Sequence, residues 1–153
     1  MSTSGLESLE HTVELTHIWI NELEERLGWE NSKSRAYRLL KATLQVLRDS
    51  LPLNEMAHFG AQLPVILRGA YYDQWRPAPG PRKKRTKDEF LARVDEAFTR
   101  DPLPDTEQAI MAVFELLSKK VTSGEVKDVR HALPGEIRML WPEPYAAPGA
   151  AAY

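Results

Sequence analysis

Apolar residues recur at every third or fourth position through most of this chain, and the phase of that recurrence marks out its elements. Leu15, Trp19, Ile20, Leu23 and Leu27 predict a helix over about 11–27, with Glu22, Glu24 and Glu25 on its solvated side and Gly28 where a C′ residue belongs. Residues 1–10 are rich in Ser and Thr and are expected to fray, although Ser4 with Glu7 fits a capping box that would start the helix earlier. Ser32 stands before the stripe Ala36, Leu39, Leu40, Thr43, Leu44 and Leu47, which predicts a capped helix over 33–49. Pro52 suits the first turn of a third helix carrying Leu53, Met56, Phe59 and Leu63. Pro64 has no N–H and crowds the turn before it, so the pattern predicts a break there and a short fourth helix to about Tyr72.

The second half of the chain repeats the sequence of signals. Thr86 with Glu89 is a capping box ahead of Phe90, Leu91, Val94, Ala97 and Phe98. The run Asp101-Pro102-Leu103-Pro104 forces a turn, and Asp105 or Thr106 can cap a helix to about Lys120 with the stripe Ala109, Ile110, Val113, Phe114, Leu116 and Leu117. Ser123 and Glu125 open another helix that Pro134 ends, and a last short one stops at Trp141-Pro142. Residues 76–85, RPAPGPRKKR, have the composition of a semi-rigid linker, and residues 143–153 have no period and read as a flexible tail. No segment alternates apolar and polar long enough to argue a strand, so the expected class is all-α.

The two halves align. Leu51–Tyr72 and Val121–Pro142 share Glu55 with Glu125, Leu63-Pro64 with Leu133-Pro134, Arg68 with Arg138, and an aromatic at Tyr71 and Trp141, all at a spacing of about seventy residues. The same spacing sets Leu40 on Ile110, Leu44 on Phe114 and Leu47 on Leu117. The expectation is one domain over 1–153, a duplicated helical bundle of two pseudo-symmetric halves, each of three helices plus a short fourth element. Repeat 1 covers about 11–75 and repeat 2 about 86–142. Arg68 and Arg138, one turn beyond the prolines, are expected to bond helix-end carbonyls or a carboxylate.

The stretch LPLNEMAHFGAQLPVILRGAYYDQWRP, followed by TKDEFLARV and the second Leu-Pro segment, resembles the bacterial domain-of-unknown-function 2267 family over roughly His11 to Trp141. AQLP…RG-Y…W is the most specific part. The resemblance implies a helical duplicated domain and carries no activity or site residues with it. HALPGEIRMLWP lacks the Gly and Tyr-Tyr of the first copy, so a surface formed by one copy need not recur in the other.

Composition changes this picture little. A formal charge of −2 gives no general pull toward nucleic acid or anionic lipid, and without Cys there is no disulfide, thiolate metal site or cysteine nucleophile. No apolar run approaches the ~20 residues of a spanning helix, so no membrane partner is expected. MSTSGLESLEHTVEL carries acids and no basic n-region, which leaves no secretory signal and makes cytoplasmic the expected location.

Chemistry has few candidates. Glu14-x-x-His17 and Glu55-x-x-His58 each place Glu and His on one helix face, which is half of a di-metal carboxylate site, but no inward Glu pair completes it. A Glu in a first turn is already explained by the helix dipole. No metal, cofactor or catalytic residue is therefore expected. Arg68, Tyr71, Tyr72, Trp75 and Arg76 gather aromatics with arginine, the composition of an interface or ligand surface; the other reading has Tyr71 and Trp75 capping the core. Arg82, Lys83, Lys84 and Arg85 are phosphate-contact candidates, with a solvated linker as the plainer reading. Gly60 and Gly69 within helices imply close packing. The function expected is a non-enzymatic protein-interaction or regulatory module, with a protein partner or a homo-oligomer. The alternative is a small-ligand or metal-binding protein using the cleft between halves, and nucleic-acid binding through the linker is the lower reading.

Overall fold

The computed structural model describes residues 4–77 and 85–143, and within them the regular structure is helical throughout. The helices are α1 (Ser4–Leu27), α2 (Lys33–Asp49), α3 (Leu53–Ala61), α4 (Val65–Tyr72), α5 (Lys87–Asp95), α6 (Thr106–Lys120), α7 (Ser123–Ala132) and α8 (Gly135–Arg138), with a 3-10 turn at Glu96–Phe98 after α5. None is long and apolar enough to cross a membrane. The all-α expectation and its order of elements agree with this.

Proline sets the boundaries as its chemistry requires. Pro52, Pro64 and Pro134 stand just before α3, α4 and α8 with extended ψ near 153°, where the missing N–H costs no helical bond. Gly28 ends α1 at φ +70°, a conformation that glycine takes without Cβ strain. Thr86, Asp105 and Thr122 accept the N–H of Glu89, Gln108 and Glu125 respectively, so three of the second-half helices carry side-chain caps.

Four details differ from the sequence-based expectation. The segment expected to fray is helical from Ser4 onward. Glu24, expected on the solvated side, is buried because it binds the start of α2, accepting Ser32 N–H at 2.6 Å and Lys33 Nζ at 3.0 Å. The Ser32 N–H bond first, then Lys33, holds its carboxyl below the ordinary glutamate value. Ser32 turns its own hydroxyl to Glu30 O instead of capping α2. The helix expected to carry Phe98 tightens into a 3-10 turn before the prolines at 102 and 104.

The core is continuous from Trp19 to Trp141. α2 lies at its centre, touching α1, α4, α5 and α6, and Leu39, Leu40, Leu44 and Leu47 on it are fully buried. A run of rings links the halves of the chain. Tyr71 tilts on Phe59 at 5.6 Å, Phe59 meets Trp141 edge-on at 6.5 Å, and Trp141 stacks on Phe114 at 4.5 Å. Trp141 gives its Nε1–H to Ser118 Oγ at 2.7 Å, so its one polar side-chain atom is satisfied inside. Gly60 explains itself by contact, because a Cβ there would lie 2.7 Å from the Tyr72 hydroxyl and 3.0 Å from the Tyr71 ring. Gly69 has open space around it, so the close packing expected there is not what the structure places.

Candidate functional site

Among the described residues, three places gather groups from which a site could be built. The first is the junction of α3 and α7, which pack on each other. Glu55 lies in the first turn of α3 and Glu125 in the first turn of α7. Across the junction, Thr122 N–H donates to Gln62 Oε1 at 3.3 Å. Carboxylate oxygens of Glu55, Glu125 and Asp128 lie within 4.8 Å of one another. Oε2 of each glutamate is shut off from solvent, and no described residue outside the pair gives it a hydrogen bond. Burial, then a hydrogen bond with Glu55 and the charges of Glu55 and Asp128, pushes the Glu125 carboxyl up to about 8. Two carboxylates this close resist joint ionisation.

The second place is the aromatic–arginine cluster. Arg68 gives Nε to Gly60 O at 3.0 Å and Nη2 to Leu63 O at 2.9 Å and Ala61 O at 3.3 Å, closing the end of α3. Tyr71 is fully buried and donates its hydroxyl to Met56 O at 2.9 Å; burial drives that hydroxyl far above its ordinary value. Tyr72 and Trp75 are half-buried, edge-on to each other at 6.4 Å, and Arg76 is exposed. Of the five residues expected together, Arg68 and Tyr71 are therefore engaged in packing, while Tyr72, Trp75 and Arg76 reach the surface. In the basic run, Arg85 donates to Ser50 O at 3.2 Å, and Arg82, Lys83 and Lys84 lie outside the described residues. Most of the expected linker and tail lie outside them as well.

The third place is the N-terminal half of α1. Leu6, Leu9 and Val13 are 49, 60 and 44% exposed. Their spacing puts them on the same face as Thr16, Ile20 and Leu23, which are buried. Glu10 and Glu14, both exposed, border the stripe along one flank. Val65, the first residue of α4, is 64% exposed, and the next residue, Ile66, gives its N–H to Thr12 Oγ1 of α1 at 3.4 Å. The stripe expected from Leu15 thus extends back through Val13, Leu9 and Leu6, the last two standing among Ser and Glu residues.

Among the described residues, the group of three potential ligands that comes within 4.8 Å is Glu55, Glu125 and Asp128, and neither His17 nor His58 belongs to it. The two Glu/His pairs therefore do not assemble with each other.

The family model for the uncharacterized conserved protein DUF2267 matches residues 16–140. The chain belongs to that family, as the motif resemblance implied. No curated protein matches the chain.

Proposed function

We propose that this member of the DUF2267 family is a non-enzymatic interaction module whose docking element is the N-terminal half of α1. The observation that carries the reading is the exposed stripe of Leu6, Leu9 and Val13, continuous with the face that the same helix buries at Ile20 and Leu23. One exposed leucine on a surface means little. Three apolar side chains at helical spacing, extending a buried stripe, make a face that no described residue covers. Covering each is worth roughly 1–2 kcal/mol, which suits a small, transient contact.

The occupant is an amphipathic helix of another protein, apolar on one side and basic on its border, laid along α1. Glu10 and Glu14 supply the complementary charge. A second copy fits less well, because antiparallel pairing sets the same flank of each helix against its copy and brings these glutamates together. The small-ligand reading has less support. Where Val46, Ser50 and Ile137 face Arg85, Thr86 and Arg93, the cavity between is about 10 Å³, room for one water molecule.

We further propose that the body holding α1 is a duplication, with two halves packed about an approximate two-fold axis through the α3–α7 junction. It is supported by Glu55 meeting its counterpart Glu125, by Pro64 and Pro134 in the same backbone conformation, and by matched bonds of Arg68 and Arg138.

The docking reading is tested by calorimetric titration with a synthetic amphipathic peptide carrying Leu at helical a and d positions and Lys elsewhere. Saturable binding is expected, lost in the Leu9→Ser, Val13→Ser double variant without a change in thermal stability, and weaker for the same peptide with Glu in place of Lys. Binding that ignores the double substitution, or no binding, sinks the reading. Concentration-dependent dimerisation abolished by the same variant would assign the stripe to a second copy instead.

A further inference from the structure

We propose that Glu55 and Glu125 form a proton-operated latch: one proton shared between their carboxyls holds α3 against α7, and its loss to solvent base loosens that contact.

The geometry carries this independently of the docking reading. The two carboxyls face each other from different helices, with oxygens within 4.8 Å, and each keeps an Oε2 buried without a donor. Such an oxygen wants a hydrogen on one side of the pair, and a carboxylic acid donating to a carboxylate supplies it. No other described residue donates to either oxygen. α7 itself adds Asp128, a further negative charge. α3 adds His58, exposed one turn beyond Glu55. α4, packed on α3, presents Tyr71, whose proton is given to Met56 O. α6, packed on α7, pairs Glu115 with Arg26 and Lys120 with Glu22, and its Lys119 is exposed. Arg130, on α7, is spent on Trp141 O at 2.6 Å. Among the described residues, Glu55 and Glu125 have no basic partner in ion-pair range. Two negative charges left in this place would repel across the contact.

The raised Glu125 carboxyl fixes the sign of the pH response. The folded protein keeps a proton that the unfolded chain has released, so stability from the latch is full below about pH 4.5 and is lost as pH rises to about 8. α3 and α7 should therefore open more readily under alkaline conditions, while the rest of the core is unaffected.

Two measurements test the latch on the full-length protein. The first is the 13C carboxyl titration of Glu125 and Glu55 by NMR. The expected result is a proton leaving the pair with a midpoint well above that of ordinary glutamates. Both carboxyls titrating in the ordinary range would overturn the proposal, whatever any variant does. The second is amide exchange in α3 and α7, corrected for its intrinsic pH dependence. In the wild type it is expected to rise about tenfold or more between about pH 6 and about pH 9, and to stay flat in Glu125→Gln, whose amide can donate to Glu55 without titrating. Equal pH dependence in both proteins would overturn the latch. So would a chelator that loosens α3 and α7 at neutral pH in the wild type alone, since a cation and not a proton would then hold the pair.

Discussion

Arg68 and Arg138 make the same three hydrogen bonds in two different places. Each reaches back to carbonyls eight, seven and five residues before it: Gly60, Ala61 and Leu63 for the first, and Arg130, His131 and Leu133 for the second. In both, the preceding proline turns the chain, and the guanidinium fork then satisfies carbonyls that the helix end leaves open.

Arg68→Ala and Arg138→Ala should each lower stability by about 1–3 kcal/mol, the usual range for hydrogen bonds from a charged donor. Lysine should recover only part of the loss, because a point charge cannot span three carbonyls as a planar fork does. Chemical denaturation of the four variants checks this. A Lys variant as stable as the wild type would show that charge alone suffices.

Asp49 holds two arginines, taking Arg48 Nε at 2.9 Å and Arg93 Nη2 at 2.9 Å. Burial alone would raise its carboxyl, but the bonds from Arg48 and Arg93 outweigh that and hold it below the ordinary value. Arg48 is itself buried and also bonds Tyr71 O and Asp73 O. Asp49→Ala should cost about 3 kcal/mol at neutral pH, since it leaves a buried guanidinium without its counter-charge. The wild-type advantage over this variant should shrink as pH falls through the low value of the Asp49 carboxyl. Thermal unfolding of both proteins along an acid series reads the difference.

Gly69 sits exposed in α4 with no atom within 4 Å of the position a Cβ would take. Gly69→Ala should therefore stabilise the protein by about 0.5–1 kcal/mol through lost backbone freedom in the unfolded chain. A destabilised variant in the same denaturation assay would mean that α4 needs the flexibility.

Leu47 and Leu117 are both fully buried, on α2 and α6. Each truncated to Ala should cost ~2–5 kcal/mol. Similar losses at the two sites are what a duplicated body requires, and a large loss at one with none at the other would count against equivalent halves.

Helix existence and most boundaries were legible because apolar period, proline and capping threonines all act locally. Lys33–Asp49 follows from its stripe alone, and the breaks at Pro64 and Pro134 follow from a missing N–H. What failed was long-range in origin. Glu24 reads as a surface acid until α2 brings Ser32 N–H and Lys33 to it. Glu55 and Glu125 were visible as matched positions, but nothing in either segment says that the two segments touch. Tyr71 and Trp75 left packing and interface readings open, and the structure buries Tyr71 while Trp75 stays half-exposed. The α1 stripe was obscured by its polar neighbours, since Leu6 and Leu9 stand among Ser4, Glu7, Ser8 and Glu10.

The claim that the α1 stripe docks a basic amphipathic helix is tested most directly by mapping the bound Leu/Lys peptide on the protein by two-dimensional amide NMR. The account predicts shifts concentrated at Leu6, Leu9, Val13 and Val65. Shifts centred instead on Tyr72, Trp75 and Arg76, or spread without focus over the surface, would contradict it.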